Sequence, residues 1–189
     1  MKVKVIGSSS LGNCYLLEND TECLVIEAGV NFNDVKKALN FNISKIIGCV
    51  YSHSHQDHSK YLKDFLKVGI PCYSSIEAFQ EMKLSGHNCY AMKESNRYKI
   101  GNFSVIPFAL EHDVKCFGYI VQHSDFGRLI FITDTFQVPY NFPFSFDYLL
   151  IEANYDEEIL LGRAFYGESN MTLNNRILGK HLSIGKCID

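Results

Sequence analysis

Residues 52–60 read SHSHQDHSK, which places three histidines and one aspartate within the six positions from His53 to His58 of a chain that has seven histidines in all. This stretch decides the reading of everything around it. Before it, KIIGCVY (45–51) is a near-continuous β-branched run of the kind found in a strand covered on both faces. After it, SKYLKDFLKVG (59–69) sets Tyr61, Leu62, Phe65, Leu66 and Val68 at helical spacing, with Ser59 as the expected cap and Gly69 as the stop. The cluster is therefore read as a loop between a buried strand and a helix.

In extended backbone, residues i and i+2 point to one side, so His53 and His55 can offer imidazoles to a single cation. Asp57 and His58 follow where the chain bends into the helix and face a neighbouring point. One loop can thus serve two metal ions, and a nitrogen-and-oxygen donor set without thiolate suits zinc, with manganese or iron as alternatives, and leaves room for water. Three further residues complete such a set. His112 follows the strand SVIPFA, Asp134 follows RLIFIT, and His181 lies in GKHLS between two helical pieces. His112 and Asp134 share with His53 a position at the C-terminal end of a strand, which favours one common rim. His87 and His123 are expected to be surface residues, the first in the turn SGHN and the second at a strand end before SDFG.

Composition narrows the classes. A chain of 189 residues is one domain's length, and a 47% hydrophobic and 21% charged content is ordinary for a globular protein. No apolar run approaches the roughly 18 residues that span a bilayer, and MKVKVIGSSS has no continuous apolar core of a signal peptide, so a cytoplasmic protein without membrane contact is expected. The seven cysteines are an odd number with no C-x-x-C pair, which argues for core filling rather than a disulfide framework. With a net charge of −3 and scattered lysines there is no basic stripe.

Elsewhere, KVKVIG (2–7), NCYLLE (13–18) and CLVIEA (23–28) read as an antiparallel meander. A short helix opened by Asn33 carries Val35, Leu39 and Phe41 on one face, and SSIEAFQEM (74–82) is a helix with a serine cap. FSVIPFAL, CFGYIVQH and RLIFITD are strands, and FDYLLIEAN (146–154) a further buried one. The end, NMTLNNRILGKHLSIGKCID (170–189), reads as one helix and the first turn of another.

These residues resemble the metallo-β-lactamase superfamily. The resemblance runs over nearly the whole chain: a strand-rich start, H-x-H-x-D-H at 53–58, a lone His112, Asp134 and a final His181, in that family's order. It implies an α/β fold, the four-layer αββα sandwich of two mixed sheets with outer helices, over 1–189 as a single domain with a short C-terminus. GSSSLGNCYLLE, SHSHQDHSKYL, IEAN and KHLS look most like the small bacterial and phage proteins of the WalJ or YycJ type, associated with 5′ exonuclease activity on DNA. Carried over by position, His53, His55 and His112 bind one divalent metal, Asp57, His58 and His181 the second, and Asp134 bridges the two. The resemblance thus implies a hydrolase in which a hydroxide held between the metals attacks a phosphodiester, DNA included, with Asp57 and Asp134 as the catalytic carboxylates. Glu27 stands where the family has aspartate, so its longer side chain is expected to reach the histidine loop. Asn154, Ser183 and Lys60 are candidate substrate contacts. The same centre suits two other readings: hydrolysis of a lactone, thioester or β-lactam, and a metal-stabilised binding module with little turnover.

Overall fold

A computed structural model describes residues 1–165 and 178–188. Its first sheet has six strands in the order β1 (Lys2–Gly7), β2 (Cys14–Glu18), β3 (Cys23–Ile26), β4 (Ile46–Val50), β5 (Cys72–Ser74) and β6 (Cys89–Ala91). β1 to β3 form the antiparallel meander, and β3 to β6 run parallel. The second sheet, ordered β11-β10-β9-β8-β7, takes β7 (Tyr98–Ile100), β8 (Phe103–Leu110), β9 (Cys116–His123), β10 (Gly127–Ile132) and β11 (Tyr148–Ile151). It is antiparallel except where β11 joins β10 in parallel. Both sheets are mixed, as the α/β sandwich requires.

Alternation sorts the core into layers. Leu17, Leu24, Ile26 and Val50 point between the sheets and meet Phe103, Val105, Phe117, Tyr119, Leu129 and Phe131 of the opposite sheet. Leu16, Val25 and Cys49 point the other way, against the helices α1 (Phe32–Ala38), α3 (Leu62–Lys67) and α4 (Ile76–Glu81), through Val35, Phe65 and Phe79. With both faces covered, β2 and β3 show no polar alternation, which is why LLE and CLVI read as plain apolar runs. The outer face of the second sheet, with Phe108, Leu110, Ile130 and Ile132, is covered by Val138, Phe142 and Phe144. Cys14, Cys23, Cys49, Cys72 and Cys116 are buried free thiols, the core fillers expected of them.

Several local expectations need correction. α1 is capped by Asn31, whose side chain accepts from the Asn33 amide, two residues before the expected start; Phe41 lies beyond the helix, exposed, in left-handed backbone. Ser59 does not open a helix: it ends the short α2 (Gln56–Ser59), and its hydroxyl donates to the Ser54 and His55 carbonyls. β11 is an edge strand with Tyr148 and Leu149 exposed rather than a buried one. His123 is buried, not superficial; its ring packs on Phe103 and its Nε2 lies 2.9 Å from the Glu22 carboxylate. After α5 (Glu157–Phe165) and a short α6 (Ile184–Ile188), the helix expected in the first part of 170–189 falls on residues outside those described. No helix among the described residues is long and apolar enough to cross a membrane.

Candidate metal centre

β8 and β10 both run antiparallel to β9, and β11 runs parallel to β10, so the C-terminal ends of all three strands open at one edge. His112, Asp134 and Glu152 follow those ends, and the loop after β4 brings His53 to the same edge. The histidine loop is then stitched to the rest of the first sheet. Asn13 donates its amide to the Asp57 carbonyl at 2.7 Å, Ala28 to the His58 carbonyl at 2.8 Å, and Tyr61 to the Ala28 carbonyl at 2.9 Å. Glu27 adopts φ +68 there and turns its carboxylate inward, accepting from the Ser52 amide at 3.2 Å and standing 3.4 Å from His58 Nδ1. The longer side chain thus reaches the histidine loop.

Three donor groups result, each with its ligand atoms within 4.8 Å of one another: His53, His55, His112 and Asp134; Asp57, His58 and Asp134; and Asp134, Glu152 and His181. Asp134 belongs to all three. Its Oδ2 lies 3.5 Å from His53 Nε2, 3.3 Å from His58 Nε2 and 3.7 Å from His112 Nε2. His55 Nδ1 lies 3.2 Å from His112 Nε2. His181 groups with Asp134 and Glu152, and so shares Asp134 with the group formed by Asp57 and His58. Its Nδ1 lies 2.7 Å from Glu152 Oε1 and 3.9 Å from Asp134 Oδ1.

The chemistry of the donor set fits a divalent cation. His53 is 0% exposed, its Nδ1 is held 2.8 Å from the Ser52 hydroxyl, and its Nε2, turned toward Asp134, finds no hydrogen-bond partner among the described residues. A buried, partnerless nitrogen facing carboxylate and imidazole is costly as a neutral core group and well suited as a ligand.

Burial, and next the neighbouring His58, push His53 well below the usual histidine range, and burial likewise lowers His112, so both rings are neutral lone-pair donors. His58 moves the other way. Burial opposes its charge, but Glu27, Asp134 and Asp57 together raise it well above the usual value. Asp134 is correspondingly lowered, since the imidazoles of His58, His53 and His112 outweigh its burial. The two shifts point the same way, toward a protonated His58 beside an ionised Asp134 3.3 Å away. The hydrogen bond with Glu152 is the main cause of a raised His181.

A cleft of about 1100 Å³ adjoins the groups, reaching His55, Asp57, His112, Asp134 and His181. Ser8, Ser9, Ser10 and Asn13 of the first loop line it, and the Asn13 amide lies 3.2 Å from His58 Nε2. Of the candidate substrate contacts, Asn154 lines the cleft and its amide donates to Glu152 at 2.9 Å. Ser183 is buried and accepts from the Lys186 amide as the cap of α6, and Lys60 is exposed with its ammonium 5.3 Å from the Tyr61 ring centre, away from the cleft lining. Glu152 joins the donor set through Asp134 and His181. Its signal was the ending IEAN of a strand lying beside the one that ends at Asp134.

The sequence model of the metallo-beta-lactamase superfamily matches residues 9–168. Among characterised relatives, the chain is 26% identical over 140 residues to exodeoxyribonuclease YycJ of Bacillus anthracis, covering 69% of this chain and 53% of that protein. The chain thus spans about half the length of this relative. It is 25% identical over 198 aligned positions to exodeoxyribonuclease WalJ of Streptococcus pneumoniae, covering 96% of this chain and 72% of that one. Among solved structures, the metallo-beta-lactamase fold protein YhfI of Bacillus subtilis superposes with a TM-score of 0.56 at 19% identity, over 68% of this chain and 60% of that chain. Metallo-beta-lactamase SMB-1 in complex with mercaptoacetic acid superposes with 0.61 at 14% identity, over 88% and 83%. These two similarities speak for the fold alone.

Proposed function

This chain belongs to the metallo-beta-lactamase superfamily, and from that premise we propose that it is a metal-dependent phosphodiesterase acting on DNA, cleaving with two divalent ions, zinc in the first instance. His53, His55 and His112 would hold one ion, Asp57 and His58 the other, and Asp134 would serve both. Such ions supply Lewis acidity, which makes water a nucleophile at neutral pH and offsets charge developing on phosphoryl oxygens.

The chain's own residues carry the remaining work. Asp57, partly exposed and lining the cleft, can accept a hydrogen bond from the attacking water and fix its approach. His53 and His112 stay neutral and hold their donor nitrogens inward. The likeness to two exodeoxyribonucleases carries the phosphodiester reading, and the pair formed by Glu152 and His181 at 2.7 Å serves its leaving group. An alkoxide leaving group needs a proton, and His181, lining the cleft with Nδ1 held by Glu152, can deliver one from its other nitrogen. The likeness to two exodeoxyribonucleases supports DNA as the substrate. His181 is here a proton carrier rather than a ligand of the second ion.

A panel of bis(p-nitrophenyl) phosphate, 5′-phosphorylated DNA, a homoserine lactone, a thioester and a β-lactam, run with metal analysis, tests this. Turnover of the phosphodiesters with about two metal ions per chain is expected; turnover of only the lactone or thioester overturns it. Asp134→Ala should abolish turnover, and if no hydrolysis is found in the parent chain the binding-module reading stands instead.

A further inference from the structure

The metal groups occupy one end of the cleft, and the other end is apolar. Val5 on β1 pairs across the strands with Tyr15 on β2, and Phe131 on β10 pairs with Leu150 on β11. All four line the cleft, and the Tyr15 and Phe131 rings meet edge to face across the two sheets with centroids 5.5 Å apart. β1 and β11 are the outermost strands of their sheets among the described residues, so this part of the sandwich opens outward. Val5 is accordingly 58% exposed.

Position relative to the metal groups follows from the strands themselves. Asn13, beside His58, is two residues from Tyr15, and Glu152, beside His181, is two residues from Leu150. Asn13 and Glu152 each stand one residue beyond β2 and β11, and two residues of extended chain advance about 7 Å. That is roughly the reach from a nucleotide's phosphate to its own base.

We propose that this apolar arm is a base-binding site, seating the nucleobase of the nucleotide whose phosphate lies at the histidine and aspartate groups. The inference rests on the phosphodiesterase reading and names what its site recognises beyond the phosphate. Two features favour a base over an aliphatic chain. Tyr15 offers a ring for stacking, and its hydroxyl donates to Ser8 at 3.0 Å on a rim where Ser9 and Ser10 add further hydroxyls for a base's polar edge. Lys180 is the one lysine or arginine among the residues described as lining the cleft, and it is paired with Asp113. Recognition in the cleft therefore falls on the base more than on neighbouring phosphates.

The test is titration calorimetry of the zinc-supplied chain with thymidine 5′-monophosphate and with 2-deoxyribose 5-phosphate, which share the phosphate and differ in the base. The nucleotide should bind at least about tenfold more tightly. Val5→Asp should cut that ratio to near one, while Val68→Asp, at an exposed apolar residue away from the cleft, should leave it intact. Equal affinities for the two ligands, or a ratio indifferent to Val5→Asp, overturn the base site; with bis(p-nitrophenyl) phosphate still cleaved, the phosphodiesterase reading survives. Tighter binding of octanoate than of the nucleotide assigns the arm to an acyl chain and overturns the base site as well. If neither phosphate compound binds and no diester is cleaved, both readings fail together.

Discussion

Glu152 Oε1 stands 2.7 Å from His181 Nδ1, and the Asn154 amide donates to the same carboxylate oxygen at 2.9 Å. The pair joins the end of β11 to the segment before α6, two parts of the chain that also meet through the backbone of Asn154 and Leu182 and of Tyr155 and Ile184. It fixes one nitrogen of His181 and leaves the other for the cleft.

Glu152→Gln should therefore slow cleavage of DNA by about 10²- to 10⁴-fold, the usual cost of a lost general acid. The loss should be much smaller on bis(p-nitrophenyl) phosphate, whose phenolate leaves without a proton, and metal content should stay unchanged. Steady-state rates on the two substrates, with metal analysis of the variant, check this. Equal losses on both together with lowered metal content would return His181 to the role of ligand.

Metal loading should release a proton. His58 is raised well above its usual value, so the metal-free chain keeps a proton on it to higher pH than a free histidine would, and a ligand must give up that proton. His53 and His112 are lowered and contribute none. Calorimetric zinc titrations in two buffers of different ionisation enthalpy should give about one proton released per chain near pH 7, falling as the pH rises past the His58 value. Zero release at pH 7 would show that the His58–Asp134 ion pair is not formed.

Much of this centre was legible because its signal is local. Four donors lie within six residues, and His112 and Asp134 each end a strong apolar run that any strand reading finds. A glutamate in IEAN carries no spacing signature that marks it as a donor; only the parallel pairing of β11 with β10 sets Glu152 beside Asp134. β5, β6 and β7 have three residues each, too few for a period to show. His123 looked superficial at a strand end because its partner, Glu22, is 101 residues away. Asn31 and Asn33 are equally good caps by residue type, and the choice depended on Phe32 reaching the core against Phe65.

Gly29 offers a steric test of how the histidine loop is seated. A Cβ built there meets the Asp57 carbonyl oxygen at 1.7 Å and its carbon at 2.4 Å, both backbone atoms that cannot rotate away. Gly29→Ala should push residues 55–59 off the first sheet, break the bond from the Asn13 amide to the Asp57 carbonyl, and weaken zinc binding by at least about tenfold. A competition titration with a chromogenic chelator measures the affinity, and thermal unfolding measures the accompanying loss of stability. An unchanged affinity would mean that the ligands do not depend on this close approach.

The buried pair of Glu22 and His123 makes stability depend on pH at the end of the sandwich away from the metal groups. Glu22, 5% exposed, also accepts from the Asn102 backbone and side-chain amides at 3.1 and 2.9 Å. Burial alone would raise its carboxyl, but the bonds from His123 and Asn102 outweigh it and the pKa is lowered from 4.5. A carboxyl depressed in the folded state stabilises fully above its unfolded value and loses that contribution as the pH falls through the folded one. Glu22→Gln should thus cost about 1.5–3 kcal/mol at pH 7, the range for hydrogen bonds to a charged group. The difference from the parent chain should shrink below pH 4.5. Urea unfolding of both chains at pH 7 and pH 3.5, under metal-free conditions so that the histidine groups do not add their own dependence, gives the comparison. A gap between parent and variant that is as large at pH 3.5 as at pH 7 would show that the Glu22 charge contributes nothing to the clasp between the two sheets.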